Sequence, residues 1–163
     1  MDYSYFNYPS PIGILKVRFT AVGILGISFS TAEQNKNCKD EYLREEDLSL
    51  YKYIFDELNA YFMGKLRVFQ VPLILEGTDF QKRVWKEIMK IPYGEVASYG
   101  EIARAIGVPK GARAVGNANN KNKVPIIIPC HRVVGSNGSL TGYAGGLERK
   151  KWLIAHENKY RKD

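Results

Sequence analysis

From Tyr3 to Phe29 the chain is patterned for strands. Aromatic and β-branched residues cluster at Tyr3–Tyr8, Ile14–Phe19 and Ile24–Phe29. Ser10-Pro11-Ile12-Gly13 and Thr20-Ala21-Val22-Gly23 separate the three runs, so the pattern predicts a β-meander with tight turns. Residues 31–47 are polar and charged, which predicts a loop or irregular segment. The period then lengthens. Tyr51, Ile54, Phe55, Leu58, Tyr61 and Phe62 recur at helical spacing and form one apolar face, with Gly64 placed to end the helix. Leu66–Leu75 reads as extended, and Pro72 confines it to an edge or a strand end.

Glu76-Gly77 marks a predicted domain boundary, giving domains 1–75 and 76–163. Thr78 followed by Gln81 has the form of a capping box and starts a predicted helix through Lys90, with Phe80, Val84, Trp85 and Ile88 on its buried side. Pro92 and Gly94 stop it. Ser98 and Glu101 make a second capping box, for a short helix ending at Gly107. Pro109 then suits the first turn of another helix, roughly Lys110–Asn120. The pair, at about 98–120, has the outline of a helix-turn-helix. Pro125–Pro129 reads as extended, Asn137-Gly138 as a turn, and Leu147–Asn158 as the last helix.

Composition narrows the class. The chain has 163 residues, 45% hydrophobic and 25% charged, as expected of an ordinary soluble globule. It shows no internal repeat, no stretch of membrane-spanning length and no signal-type apolar core at its N-terminus. Two cysteines, Cys38 and Cys130, exclude a disulfide scaffold, show no zinc spacing, and fit a reducing compartment: cytoplasm, or nucleus in a eukaryote. The net charge of +7 is uneven. Residues 1–75 carry 8 Lys/Arg against 9 Asp/Glu, and residues 76–163 carry 16 against 8. The second part therefore invites a polyanion, nucleic acid first, although a solvated basic face is the plainer alternative.

The chemistry lies in that basic part. Ile128-Pro129-Cys130-His131-Arg132-Val133 sets one of two cysteines against one of two histidines. A neighbouring imidazole or cation promotes the thiolate, the reactive form of the nucleophile. The predicted second helix of the pair, with Gly111-Ala112-Arg113-Ala114-Val115-Gly116-Asn117-Ala118, is built of small residues and flanked by Lys110, Lys121 and Lys123. Such a face lets backbone approach a ligand closely and suits a DNA groove; tight helix packing would use the same residues.

Further residues make the pattern specific. Ser98-Tyr99, Ala112-Arg113-Ala114-Val115-Gly116, Asn122, Pro125 through Val133, Gly142-Tyr143-Ala144-Gly145-Gly146 and Ala155-His156-Glu157 follow in order. Together they resemble the O6-alkylguanine-DNA alkyltransferases, which repair DNA by direct reversal. The resemblance spans about residues 78–158, with Pro129-Cys130-His131-Arg132-Val133 its most specific part. It implies a small ribonuclease-H-like α/β N-terminal domain, an antiparallel sheet with a helix. A mainly α C-terminal domain would carry the helix-turn-helix.

The resemblance also implies roles. Cys130 accepts the alkyl group as a thioether, once per molecule. His131 acts as general base through a water, and Glu157 fixes its tautomer. Asn122 holds the turn before the cysteine. Tyr99 assists the guanine leaving group and crowds the target phosphate. Val133, Tyr143, Ala144 and Asn119 line the pocket. Arg113 fills the space left by the flipped base. Ala112, Ala114, Gly116 and Ser136 join Tyr99 and Arg113 in binding DNA through the minor groove, with little sequence preference. His156 is left as a surface or packing residue.

The partner implied is double-stranded DNA carrying O6-alkylguanine, bound by a monomer without a cofactor. Some members hold a structural zinc on N-terminal Cys and His, but residues 1–75 contain Cys38 and no His. Ala144, Asn119 and Val108 depart from residues common in the family. Two other readings remain for the bare residues. A thiol hydrolase would use Cys130 and His131 but needs no basic helix pair. A non-catalytic helix-turn-helix DNA-binding protein would not need Cys130.

Overall fold

In a computed structural model of the chain, residues 2–31 and 40–161 are described. The chain folds as two compact units, Met1–Leu75 and Glu76–Asp163. In the first, β1 (Ser4–Ser10), β2 (Gly13–Thr20), β3 (Gly23–Phe29) and β4 (Glu41–Tyr42) form an antiparallel sheet in the order β3-β2-β1-β4. Strand alternation turns Phe6, Tyr8, Leu15, Val17 and Phe19 inward. α1 (Leu48–Phe62) covers them with Ile54, Leu58 and Tyr61. The Phe6 ring meets Tyr51 edge-on at 4.8 Å.

Two expectations for this unit change. The polar stretch after β3 contains β4, and a 3₁₀ turn at Glu45–Asp47. Asp47 is fully buried there, bonded by the Ser4 hydroxyl and by Arg44 Nε at 2.7 Å, so a charged segment is ordered by paired charge. Residues 32–39, with Cys38, lie outside the described residues. The stretch Leu66–Leu75 forms no strand; it makes one parallel bridge, Leu73 to Ile24. Pro72 has no N–H to continue a ladder, and Glu57 takes the Gln70 N–H at 2.8 Å instead. Gly23 is required at this bridge, because a Cβ would lie 2.8 Å from the Pro72 oxygen.

The second unit holds α2 (Asp79–Ile88), β5 (Ala97–Ser98), α3 (Tyr99–Ala105), α4 (Ala112–Asn120), β6 (Val133–Val134) and α5 (Leu147–Tyr160). Both capping boxes are formed, Thr78 with Gln81 and Ser98 with Glu101. α2 stops short of Lys90, with Val84, Trp85 and Ile88 buried and Phe80 only half-buried. α2, α3 and α4 pack together as the helix-turn-helix unit, and Trp85 Nε1–H donates to the Ala118 carbonyl at 2.8 Å. α5 runs two residues beyond the Asn158 expected. His156 is a packing residue, its ring stacked on Trp152 at 4.8 Å. Among the described residues no helix is long and apolar enough to cross a membrane.

Two proline-centred expectations fail here. Pro109 does not start a helix. It occupies a turn in which Gly111 N–H donates to the Val108 carbonyl at 2.7 Å, and α4 begins after Gly111. Residues 125–129 are not extended either. Pro125 bridges Ile128, and Ile128 N–H returns to the Val124 carbonyl at 3.0 Å. The turn holds Ile126 at φ 77°, costly for a β-branched residue, with its side chain buried.

Candidate active site

The tight turn delivers Cys130 to the start of a 3₁₀ turn, Cys130–Arg132, which runs directly into β6. β6 pairs in parallel with β5, Val133 opposite Ala97, so the start of α3 and the cysteine turn are held side by side. Asn122 ties the approach from both ends. Its Nδ2 donates to the Ile128 carbonyl at 2.9 Å, and its Oδ1 accepts the Val124 N–H at 2.9 Å. Asn119 lies on α4 with its Nδ2 3.4 Å from the Cys130 carbonyl.

His131 is fully buried, its Nε2 2.7 Å from Glu157 Oε2 on α5. The same carboxylate accepts Arg132 Nε–H at 2.8 Å, Arg132 Nη2–H at 3.0 Å and the Gly94 N–H at 3.3 Å. Arg132 also donates to the Ile91 carbonyl at 2.8 Å. Burial alone would raise the Glu157 carboxyl, but its bonds to His131 and Arg132 hold it well below the usual carboxylate range. An ionised carboxylate can only accept, so the imidazole presents Nε2–H to it. Nδ1 is then an unprotonated acceptor, and among the described residues it has no hydrogen-bond partner. Burial pushes His131 below its ordinary value, against the pull of Glu157, and keeps the ring neutral at rest.

Cys130 is 3% exposed, and burial pushes its thiol up to about 11, opposed by a hydrogen bond from Asn122 and by the charge of Lys150. The resting thiol is therefore protonated, and a base must take its proton. Lys150 is fully buried on α5 and donates to the carbonyls of Val133 at 2.6 Å and Thr141 at 2.7 Å. Burial brings its ammonium down to about 8. The Tyr99 hydroxyl donates to the same Thr141 carbonyl at 2.9 Å. Tyr143 is buried, and desolvation together with Cys130 raises its phenol well above the usual value.

These contacts join Cys130, His131, Glu157, Asn122, Asn119, Val133, Tyr143 and, through Thr141 and Lys150, Tyr99. Arg113 and Ala114 are exposed on α4, Ala112 and Gly116 half-buried beside them, and Ser136 and Ala144 exposed on loops. None of these six is bonded to the thiol network. Sequence reasoning missed Arg132 and Lys150 as working residues. A signal existed for the lysine: Lys150, Leu153 and Glu157 recur at helical spacing, which puts Lys150 on the buried face of α5.

Acid is expected to weaken this unit in two stages. His131 has its pKa depressed on folding and Glu157 likewise, so the unfolded chain binds protons more readily. Stability is then complete above the unfolded values, falls as pH drops below 6.5 through His131, and falls again below 4.5 through Glu157. Both tryptophans, Trp85 and Trp152, lie in this unit, so denaturant melts followed by their fluorescence at stepped pH measure it.

Fold and site together define a thiol-centred protein built on a helix-turn-helix. Residues 79–159 match the model for the 6-O-methylguanine DNA methyltransferase, DNA binding domain, and residues 3–75 match that for its ribonuclease-like domain. A methylated-DNA–protein-cysteine methyltransferase of Methanosarcina acetivorans is 44% identical over 153 residues, 94% of this chain and 97% of the relative. The crystal structure of Mycobacterium tuberculosis O6-methylguanine methyltransferase superposes with a TM-score of 0.82 at 42% identity, covering 97% of this chain and 94% of that one. A crystal structure of M. tuberculosis OGT in complex with DNA matches with the same TM-score at 44% identity, over 96% and 93% of the two chains. The chain belongs to the 6-O-methylguanine DNA methyltransferase family.

Proposed function

We propose that this protein repairs DNA by direct reversal, moving the alkyl group of O6-alkylguanine in duplex DNA onto Cys130. The observation that carries the reading is a buried thiol whose neighbour, His131, has Nε2 committed to Glu157 and Nδ1 open as a base. The thiol proton passes to His131 Nδ1 through a water. Sulfur attacks the alkyl carbon in line, the S–C bond forms as the C–O6 bond breaks, and the bonding pair leaves on guanine, which takes up a proton. Tyr99 assists that departure once its hydroxyl leaves the Thr141 carbonyl. The thioether product has no easy route to hydrolysis, so each molecule acts once.

The unit 76–163 binds DNA and carries out the transfer, acting as a monomer. O6 lies inside the base stack, so the nucleotide is rotated out at a cost of about a few kcal/mol. Ala112, Ala114 and Gly116 let α4 lie close in the minor groove, Arg113 enters the vacated space, and Ser136 contacts the backbone. Val133, Tyr143 and Ala144 line the pocket, and Asn122 holds the cysteine turn. A free acceptor thiol requires a reducing compartment, the cytoplasm or nucleus.

Intact-mass analysis after mixing with DNA containing O6-methylguanine tests the reading. One methyl per protein is expected, and peptide mapping places it on Cys130. Sustained turnover, or a methyl on Cys38, would overturn it.

A further inference from the structure

The Asn119 side chain is 2% exposed on α4. Its Nδ2 faces the Cys130 carbonyl at 3.4 Å, an orientation fixed by chemistry, since the reversed amide would set oxygen against oxygen. Its Oδ1 is buried and has no hydrogen-bond partner among the described residues. An orphaned buried acceptor is costly, and folded proteins keep few of them. Here it belongs to an amide whose other end donates to the Cys130 carbonyl, and the residue next to Cys130 in sequence carries another open acceptor, His131 Nδ1. His131 Nδ1 has a task in the transfer; Asn119 Oδ1 has none so far.

The chemistry of the base says what this acceptor can serve. Alkylation at O6 of guanine removes the hydrogen from N1. N1, N3 and N7 are then all acceptors, and the 2-amino group is the only donor left on the ring system. O4-alkylthymine has no ring donor at all. An acceptor in this pocket can therefore be satisfied by the base only through the 2-amino group.

We propose that Asn119 is a specificity-determining residue whose Oδ1 accepts a hydrogen bond from the 2-amino group of the flipped O6-alkylguanine. The inference rests on the alkyl-transfer reading above. It makes Asn119 a filter that favours guanine lesions over bases lacking the amino group. α4 then serves two purposes: its exposed face meets the duplex, and its buried end reads the extruded base.

The test uses two duplexes alike except at one position, O6-methylguanine in one and O6-methylhypoxanthine, which lacks the 2-amino group, in the other. Single-turnover methylation of Cys130 is measured on each. The wild-type protein is expected to prefer the guanine lesion by about tenfold or more. Asn119→Leu, similar in size and without polar atoms, is expected to shrink that preference by about tenfold, mainly through a slower rate on the guanine lesion. Asn119→Asp, which burial holds protonated, can set its O–H against the Cys130 carbonyl in place of Nδ2–H and keep the acceptor, so it is expected to keep the preference.

Equal slowing of Asn119→Leu on both duplexes would overturn the proposal and leave Asn119 as a support for the Cys130 peptide. So would a wild-type protein that does not distinguish the two lesions, an outcome that holds even if the variants fail to fold. A wild-type protein methylated on neither duplex would instead sink the alkyl-transfer reading, and the Asn119 proposal with it.

Discussion

His131→Ala is expected to slow single-turnover methyl transfer by roughly a hundredfold or more while leaving affinity for duplex DNA essentially unchanged. The resting thiol is protonated, because burial holds it up at about 11. Without an imidazole, the reaction must draw on the small thiolate population present at neutral pH. The residual rate of the variant should therefore climb as pH rises toward the thiol's own value, where the wild-type rate has already levelled. Glu157 keeps both Arg132 bonds after the change, so the helix contact survives. The exposed face of α4, proposed above to meet the duplex, takes no part in the network, so DNA affinity is expected to be spared. Rates and affinities measured side by side check this; equal, modest losses in both would make His131 a packing residue.

Arg132→Met is expected to cost about 3–5 kcal/mol of stability at neutral pH, because it strands a buried carboxylate. Glu157 loses two charge-assisted bonds, at 2.8 and 3.0 Å, while those from His131 and the Gly94 N–H remain. With the guanidinium gone, burial raises the Glu157 carboxyl, and the remaining charge falls on His131. The deficit should therefore be largest above pH 6.5 and shrink as acid neutralises the pair, opposite in slope to the wild-type acid sensitivity. Tryptophan-detected denaturant melts of both proteins across pH test the size and the slope. A small, pH-independent loss would show that Arg132 carries little of the site's electrostatics.

Local signals were readable from the sequence wherever the governing interaction is itself local. The three strands of the meander, the apolar face of α1 and both capping boxes depend on neighbours within a few residues, and they stand where their patterns put them. Pro109 and residues 125–129 misled for the same reason in reverse. A proline restricts one dihedral and is equally at home in a helix start, a turn or an extended run. Its neighbours in space choose among them. β4 was hidden because its pairing partner is β1, far away in sequence.

For the function, the sequence by itself determined the chemical kit: a cysteine next to a histidine in a proline-bounded run, a basic second part, and a capped helix pair. Those are statements about order and composition, and they carry the family. Only the tertiary structure decided which groups answer to which. It brought Glu157 from the last helix onto His131 and closed the carboxylate with Arg132. It drove the Lys150 ammonium into the carbonyls of the 133–142 segment and left Asn119 Oδ1 without a partner beside the thiol. The physical reason is that charge and hydrogen-bond strength depend on burial and direction. Both come from packing between distant segments, which no local pattern encodes.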